Sequence, residues 1–272
     1  MKSLLTTIIC LFSINIISSS VIIVCKKCDI SNISTAIDKA KNHDTIIIKN
    51  GTYYEFDIEI NKPIKIIGEQ SIIDAQFKGG GFNIQSDSVY LSSLKINNIK
   101  RSYTKDIASI VAYKADHFLI ENIEFNNPFF AIFIQKSQNG IIRNNIINGA
   151  NNDVLNSGNG IHLWNSKNME IENNKIINMR DGIYLEFVSA AKINNNVSEK
   201  NLRYGLHFMF SNDNKFSNNI FINNGAGVAV MFSKNIIMQS NRFENNWGAS
   251  SYGLLLKEIY DRSEEHKSDL QS

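Results

Sequence analysis

The sequence of 272 residues lacks an excess of charge of either sign. It contains 28 Lys and Arg residues against 26 Asp and Glu residues, which gives a formal net charge of +2 and a pI near 8.3. Proteins that bind nucleic acids through the phosphates usually carry a marked basic excess. The charge balance therefore argues against a nucleic-acid partner.

Proline is also scarce, at two residues, and no linker-like stretch separates Asp29 from Asp261. Proline-rich and low-complexity segments often mark the boundaries between domains. With 43% hydrophobic residues, the composition predicts one elongated soluble domain. We place this domain at residues 21–261.

A hydrophobic run long enough to span a membrane is missing. The apolar stretch at residues 4–17 is interrupted by Asn15 and is shorter than the roughly 20 residues that a membrane helix needs. It follows Met1-Lys2 and precedes Ser18-Ser19-Ser20, which is the layout of a secretory signal. We predict a signal peptide at residues 1–20 and export of a chain that begins near Val21. The alternative is a membrane anchor.

Cysteine is limited to three residues, and Cys10 would be removed with the signal peptide. Cys25 and Cys28 then remain as a C-x-x-C pair. In an exported chain this pair is most often a small disulfide, although two thiolates at this spacing can also hold Cu(I). A four-ligand zinc site would need further ligands, which the sequence does not place nearby.

A motif that begins with glycine recurs along the second half of the chain. It reads glycine, apolar, variable, apolar, variable, and it returns after 22, 23, 22 and 26 residues. Asparagine keeps nearly the same period. A fixed period of this size is typical of a solenoid. The glycines are Gly160, Gly182, Gly205, Gly227 and Gly253, and the asparagines are Asn122, Asn145, Asn174, Asn196, Asn219 and Asn241.

Apolar and variable residues alternate within the motif with the period of a strand that has one buried face. Glycine and asparagine fall where the chain turns. Such short strands are buried only if successive coils stack with equivalent residues above one another. The pattern therefore predicts an all-β chain, a single-stranded right-handed parallel β-helix of the pectin-lyase-like solenoid type. We expect the asparagines at one corner, because Asn tolerates the left-handed backbone region and its amide can bond to the adjacent coil.

Residues 34–40 predict a short helix before the first coil. Ile33, Ala36, Ile37 and Ala40 lie on one face at helical spacing. The first coil of a solenoid exposes unpaired backbone groups unless another element covers it. We expect this helix to cap the amino-terminal end.

Candidate metal ligands emerge from the stacking. The apolar residues of each motif point inward, so the variable residues point outward in two columns. Neighbouring strands lie ~4.8 Å apart and residues two along a strand ~6.6 Å apart, so His207, Met209 and Met231 can reach one point. Imidazole and thioether groups suit copper, and we also consider His162, Cys25 and Cys28 as ligands. The columns contain His162, Tyr184, His207, Ala229 and Leu255, and Trp164, Glu186, Met209, Met231 and Lys257.

The same outward strip is more aromatic and apolar than a solvated face requires. Trp164, Tyr184 and Glu186 lie on it, and such a strip is typical of a docking surface. An alternative is packing against a loop such as the insert at residues 151–159, which lengthens one repeat to 29 residues. We predict partner docking by these three residues.

Paired carboxylates are missing from the repeat face, where Glu186 is the only acid. A polysaccharide hydrolase needs two carboxylates about one bond, and a lyase needs a Ca²⁺ cage of acids beside a base. Asp181 with Arg180 and Arg203 is a conceivable acid and base set, but charges at turns are ordinarily solvated. We therefore expect no enzymatic activity and assign no catalytic residue. A β-helical polysaccharide lyase or hydrolase is the alternative, and a surface adhesin the third interpretation.

Longer stretches around the glycines are more specific than the period. They are Arg180-Asp181-Gly182-Ile183-Tyr184, Arg203-Tyr204-Gly205-Leu206-His207-Phe208-Met209-Phe210-Ser211, Ala226-Gly227-Val228-Ala229-Val230-Met231-Phe232-Ser233 and Tyr252-Gly253-Leu254-Leu255-Leu256-Lys257-Glu258. These stretches resemble the NosD family, accessory proteins for the maturation of nitrous oxide reductase. The likeness covers nearly the whole chain, from Cys25 to Asp261.

The resemblance implies a periplasmic, non-enzymatic β-helix of a kind often described as copper-binding. It implies that the protein works with the ATPase and permease subunits of an ABC transporter, through which alone it would meet the membrane. It also implies that nitrous oxide reductase, whose copper–sulfur centre it helps to assemble, and a copper chaperone are partners. No copper ligand transfers by motif, so the ligands named above depend on the stacking argument.

Residues 262–272 depart from the family pattern. This polar segment, which follows Asp261, has neither the glycine nor the asparagine period and closely resembles the translation of a sequencing adapter. We expect that the gene sequence is truncated and reads through into adapter, so His266 is not counted as a ligand. An uncapped last coil would then promote aggregation of the fragment.

Overall fold

The computed structural model describes residues 19–102, 104–150, 154, 157–248 and 252–259. Within these ranges the chain forms 26 short strands and one helix. The predicted signal peptide and the tail at 262–272 lie outside the described residues, apart from Ser19 and Ser20. The elements are β1 (Val21–Val24), α1 (Ile33–Lys39), β2 (Thr45–Ile48), β3 (Gly51–Tyr53), β4 (Ile58–Ile60), β5 (Lys65–Asp74), β6 (Phe82–Ile84), β7 (Tyr90–Asn97), β8 (Ala108–Tyr113), β9 (Leu119–Glu121), β10 (Glu124–Asn126), β11 (Phe130–Gln135), β12 (Ile141–Arg143), β13 (Ile146–Asn148), β14 (Ile161–Trp164), β15 (Glu170–Glu172), β16 (Lys175–Ile177), β17 (Asp181–Glu186), β18 (Lys192–Asn194), β19 (Val197–Glu199), β20 (Tyr204–Met209), β21 (Lys215–Ser217), β22 (Ile220–Ile222), β23 (Ala226–Met231), β24 (Ile237–Gln239), β25 (Arg242–Glu244) and β26 (Leu254–Lys257).

The described strands form two parallel sheets. Sheet A has 17 strands and bends into two faces, which join through the long strands β5 and β7. Sheet B has nine strands in the order β26, β23, β20, β17, β14, β11, β8, β6 and β4. Each coil contributes to all three faces and pairs with the next coil. The predicted single-stranded right-handed parallel β-helix is therefore confirmed.

The repeated glycines lie above one another at one edge of sheet B. A Cβ atom added to Gly160 would lie 2.5 Å from the carbonyl oxygen of Gly182, and the same close approach links Gly182 to Gly205 and Gly205 to Gly227. No side chain fits at such a distance. The motif begins with glycine because neighbouring coils approach too closely there for any other residue.

The core is a stack of apolar side chains inside the solenoid. In one face of sheet A, Ile142 pairs with Ile120 on one side and Ile171 on the other, and Ile171 pairs with Ile193. All four side chains are completely buried. Burial of a side chain of this size stabilises the fold by about 1.5–3 kcal/mol. The alternation read from the sequence thus sets which residues enter the core.

The asparagine repeat supports one corner of the coils, with one exception. Asn145, Asn174 and Asn196 each donate through the backbone and side-chain amides to the side-chain oxygen of the next asparagine, and this ladder continues to Asn219 and Asn241. Positive φ angles occur instead at the preceding residues Asn144, Asn173, Asn195 and Asn218. Asn122, with φ of 55°, belongs to this second series, so its place in the predicted repeat was wrong by one residue.

Helix α1 covers the amino-terminal end, as the sequence predicts. Ile33, Ala36 and Ile37 are buried against the first coils. The Glu55 carboxylate accepts hydrogen bonds from the backbone amides of Ile33 and Ser34 at 2.7 and 3.0 Å, which places a negative charge at the helix N-terminus. None of the described residues forms a helix long and apolar enough to cross a membrane.

Candidate functional site

Strands of sheet B pair in the register that the repeats predict. His162 pairs with Tyr184, Tyr184 with His207, and His207 with Ala229. The second set of variable residues pairs in the same way. Both columns are therefore present in the predicted register, but the expectation of an outward, exposed face was wrong for His207 and Ala229, which are 2% and 0% exposed. We call them the histidine column, which contains His162, Tyr184, His207, Ala229 and Leu255, and the methionine column, which contains Trp164, Glu186, Met209, Met231 and Lys257.

The rings of the histidine column are stacked along the sheet. The His162 ring centroid lies 4.5 Å from that of Phe133 and 4.7 Å from that of Tyr184, and the Tyr184 centroid lies 4.7 Å from that of His207. Tyr184 thus separates two imidazoles that lie two strands apart, roughly 9.6 Å. Because a metal ion sits ~2 Å from each ligand nitrogen, His162 and His207 cannot bind the same ion. His162 does not join the ligand set predicted around His207.

Asp181 is buried beside His207, with an exposed fraction of 1%. Its Oδ2 atom lies 3.4 Å from Nδ1 of His207, and its Oδ1 atom lies 3.6 Å from Nε of Arg203. The expectation of a solvated turn charge was wrong for Asp181, because Arg203 and Tyr204 of the next coil lie against this group. The Tyr204 ring also contacts His207, with the centroids 4.7 Å apart.

Burial keeps the rings of His162 and Tyr184 neutral. The pKa of His162 is lowered to about 3, first because the imidazole is buried and second because Arg180 is nearby, against an opposing effect of Asp181. Burial also raises the pKa of Tyr184 to about 12, with smaller contributions from Glu186 and Asp181. Near neutral pH, both side chains are uncharged.

The methionine column is more open than the histidine column. Trp164, Glu186, Met209 and Met231 are half-buried. The Lys136 ammonium lies 5.3 Å from the centre of the Trp164 ring. The thioethers of Met209 and Met231 lie on paired residues of β20 and β23, so they are neighbours on the outer surface.

A row of three stacked phenylalanines, two exposed and one half-buried, borders the methionine column. Phe187 stacks on Phe210 and Phe210 on Phe232, with centroids 5.3 and 5.0 Å apart. We call these residues the phenylalanine ladder. Phe187 and Phe210 are 50% and 44% exposed, and all three residues have φ angles between 50° and 54°. Bulky residues rarely adopt this backbone conformation.

Sequence reasoning missed the phenylalanine ladder. Its signal is the residue five places after each glycine, which is phenylalanine in three successive repeats but Asn165 in the repeat before them. Asn165 has the same left-handed conformation, with φ of 48°. Asn is the ordinary occupant of such a position, so three stacked phenylalanines there, two of them exposed, indicate a role other than folding.

Of the two interpretations of the cysteine pair, disulfide or copper ligands, the structure contains the disulfide. Cys25 and Cys28 are joined by a disulfide, so in this form neither sulfur is a thiolate available to copper. In the described residues, no three His, Cys, Asp or Glu side chains converge in a way that could hold a metal ion.

Comparison with known proteins points to the same part of the chain. Residues 144–263 match the model of a family described as periplasmic copper-binding protein (NosD). This match supports the family assignment that the sequence resemblance predicts, and the matched segment contains His207, Met209 and Met231. A search of the curated proteins gives no match.

Solved structures confirm the fold class. Alginate lyase from Paenibacillus sp. str. FPU-7 superposes with a TM-score of 0.62 at 14% identity, covering 88% of this chain and 99% of that one. The catalytic domain of a GH87 alpha-1,3-glucanase in complex with nigerose gives 0.59 at 11% identity, with coverages of 92% and 68%. ORF18 of Geobacillus virus E2 gives 0.55 at 11% identity and 85% coverage, and the chain spans 57% of its length. At these identities the likeness concerns the fold alone.

Proposed function

We propose that this protein is a NosD-type accessory factor that acts in the periplasm and handles copper for the copper–sulfur centre of nitrous oxide reductase. The match over residues 144–263, with its description as periplasmic and copper-binding, supports this function. The observation that carries the copper part is the alignment of His207, Met209 and Met231 on the paired strands β20 and β23.

The chemistry of these three residues suits Cu(I) as a cargo. Thioether sulfur is a soft ligand that favours Cu(I), and imidazole binds copper well. His207 also has a buried ring nitrogen, Nε2, without a hydrogen-bond partner. A site of one imidazole and two neutral thioethers would bind Cu(I) without a full thiolate cage. Such a site is suited to passing the ion to another protein.

The outer surface of sheet B supports a role in docking. Trp164 lies at one end of the methionine column, and the phenylalanine ladder runs beside Glu186, Met209 and Met231, each phenylalanine following one of these residues in the chain. Partly exposed aromatic and methionine side chains in one continuous strip are typical of protein interfaces. We propose that this strip binds the partners implied by the family: the permease of an ABC transporter with its ATPase, the reductase, and a copper chaperone.

Maturation of the reductase tests this function. In cells that lack the gene, the full-length wild-type gene should restore a reductase with the visible absorption of its copper–sulfur centre and with full copper content. A variant with Met209→Leu and Met231→Leu should restore markedly less of both, because leucine keeps the volume but removes the sulfur. Met238→Leu changes a partly buried methionine of the core and should behave as wild type. Full restoration by the double variant would refute the copper role.

A polysaccharide-active enzyme is the second candidate, favoured by one observation. Asp181, His207 and Arg203 form a charged cluster beside the Tyr184 and Tyr204 rings, which provides an acid, a base and a cation at one place. However, Asp181 and His207 are 1% and 2% exposed, so a polymer does not reach them in this structure. Incubation with alginate and polygalacturonate, followed by assays for unsaturated products and reducing ends, tests this function. Activity that Asp181→Asn abolishes would favour it.

A further inference from the structure

Unpaired buried polar atoms are concentrated at the start of the histidine column. Among the described residues, seven buried side-chain nitrogen or oxygen atoms have no hydrogen-bond partner. Five of them belong to His162, His207 and the nearby residues Asn159 and Asp181. Unpaired polar groups in a protein interior cost free energy, so a concentration of them needs an explanation such as a ligand or water. The five atoms are Nδ2 of Asn159, Nδ1 and Nε2 of His162, Oδ1 of Asp181 and Nε2 of His207.

The groups around His207 favour a positively charged ligand. The buried Asp181 carboxylate has one oxygen atom with no hydrogen-bond partner, and its ion pair with Arg203 is long, at 3.6 Å. The ring centroids of Tyr184 and Tyr204 both lie 4.7 Å from that of His207. Carboxylates, imidazole lone pairs and aromatic faces all attract cations.

The orientation of His207 follows from Asp181. A carboxylate oxygen can only accept, so the 3.4 Å contact between Oδ2 of Asp181 and Nδ1 of His207 favours the tautomer with its proton on Nδ1. The second ring nitrogen, Nε2, then carries a free lone pair. The two ring nitrogens of imidazole point in nearly opposite directions, so Nε2 is turned away from Asp181.

We propose that Asp181 is a positioning residue that holds the His207 proton on Nδ1 and thereby presents Nε2 as the buried nitrogen ligand for Cu(I). This inference rests on the proposed copper function. Histidine ligands of metals commonly donate their other ring N–H to a carboxylate, which fixes the tautomer and increases ligand basicity. Met209 follows His207 by two residues and ends β20, and it pairs with Met231. Asp181 begins β17 and pairs with Tyr204, so it lies at the opposite end of these strands.

His162 is not part of this site, although both its ring nitrogens are unpaired. Among the described residues, no carboxylate forms a hydrogen bond or ion pair with its ring, and Phe133 and Tyr184 lie against its two faces. His207, by contrast, contacts the Asp181 carboxylate, with Nδ1 and Oδ2 3.4 Å apart. The difference separates a ligand histidine from a histidine that fills the stack.

The tautomer of His207 in the wild-type protein is the first test, and it needs no variant. Nitrogen-15 NMR of the imidazole rings at neutral pH should show Nδ1 protonated and Nε2 unprotonated in the metal-free protein. Addition of Cu(I) should then shift the Nε2 resonance and leave the Nδ1 proton in place. A proton on Nε2 in the metal-free protein would overturn the proposal.

Variants provide the second test. Cu(I) affinity is measured by competition with a colorimetric chelator, and X-ray absorption reports the nitrogen and sulfur neighbours of the bound ion. His207→Gln should remove the nitrogen neighbour, and Asp181→Asn should lower the affinity by about tenfold or more and shift the His207 tautomer. The matched controls are His117→Gln and Asp106→Asn, which change exposed residues and should behave as wild type. Circular dichroism checks that each variant is folded.

The outcomes separate this inference from the proposed function. If the wild-type protein binds Cu(I) and both His207→Gln and Asp181→Asn leave its affinity and its X-ray absorption unchanged, the unpaired atoms hold water and the inference is wrong, while the copper function stands. If the wild-type protein binds no Cu(I), both fail. Loss of the nitrogen neighbour in His207→Gln, together with a shifted tautomer in Asp181→Asn, supports the inference.

Discussion

The side-chain oxygen of Asn219 accepts hydrogen bonds from both the backbone and the side-chain amides of Asn196, at 2.9 and 3.0 Å. Asn196 in turn accepts the same two bonds from Asn174, and its side chain also donates to the carbonyl oxygen of Ile171. All of these groups are buried. One side chain therefore connects three successive coils.

Asn196→Ala should lower the free energy of unfolding by about 3 kcal/mol or more, because several buried donors and acceptors would lose their partners at once. Chemical denaturation followed by circular dichroism measures the change. Asn195→Gly is the matched control, since Asn195 is exposed and has a φ of 57°, which glycine adopts freely. A loss below about 1 kcal/mol for Asn196→Ala would mean that the ladder contributes little to stability.

Stability should depend on pH through His162. Its pKa in the folded protein, about 3, lies below the value near 6.5 of the unfolded chain, so the unfolded state binds the proton first as the pH falls. The stabilising contribution is complete above pH ~6.5 and is lost as the pH falls towards ~3. Between pH ~7 and pH ~5 this loss amounts to about 2 kcal/mol.

His162→Phe removes the titrating group from the stack beside Phe133. The variant should lose about 2 kcal/mol less stability than wild type between pH ~7 and pH ~5, as measured by denaturation at each pH. His117→Asn changes an exposed histidine and should keep the wild-type slope. Parallel pH profiles for His162→Phe and wild type would show that His162 is protonated equally in both states.

The phenylalanine ladder should matter for docking and little for folding. In a triple variant with Phe187→Asn, Phe210→Asn and Phe232→Asn, relief of backbone strain, roughly 1 kcal/mol at each position, offsets the loss of stacking, about 0.5–1.5 kcal/mol for each pair. Thermal unfolding should therefore change little, whereas maturation of the reductase in cells should fall markedly. Phe77→Asn is the control, since Phe77 is also exposed, at 56%, with φ of 59°. If maturation is unaffected in the triple variant, the ladder does not bind a partner.

Removal of the disulfide should affect stability and leave copper binding unchanged. Cys25 and Cys28 are three residues apart, so their bond closes a small loop, for which chain entropy gives a contribution of about 2 kcal/mol. A variant with Cys25→Ser and Cys28→Ser should lose about this much stability and keep the Cu(I) affinity of wild type. Weaker Cu(I) binding by this variant would instead return the two sulfurs to the set of candidate ligands.

Much of the fold could be predicted because it depends on a local pattern that recurs. The spacing of Gly160, Gly182, Gly205 and Gly227 fixes the register of sheet B, and the register brings Met209 beside Met231. Helix α1 could be predicted for a similar reason, since its apolar residues are close in sequence. In both cases, residues within one repeat or one helix carry the information.

Other features depend on contacts between coils. Asp181 is buried because Arg203 and Tyr204 of the next coil lie against it, and the sequence around Asp181 does not show this. The left-handed conformation of Phe187 was missed because Asn or Gly usually indicates such a position. The two asparagine series lie one residue apart, so the sequence alone could not distinguish Asn122 from a ladder residue.

Equilibrium titration with Cu(I) tests the copper site most directly. The full-length protein is titrated in competition with a colorimetric Cu(I) chelator, beside a variant with His207→Gln, Met209→Leu and Met231→Leu. We expect the wild-type protein to bind a single Cu(I) ion and the triple variant to bind it at least about tenfold more weakly. A control with His117→Gln and Met238→Leu should match wild type. Equal Cu(I) affinity in the triple variant and the wild type would show that the outer surface of sheet B does not hold copper.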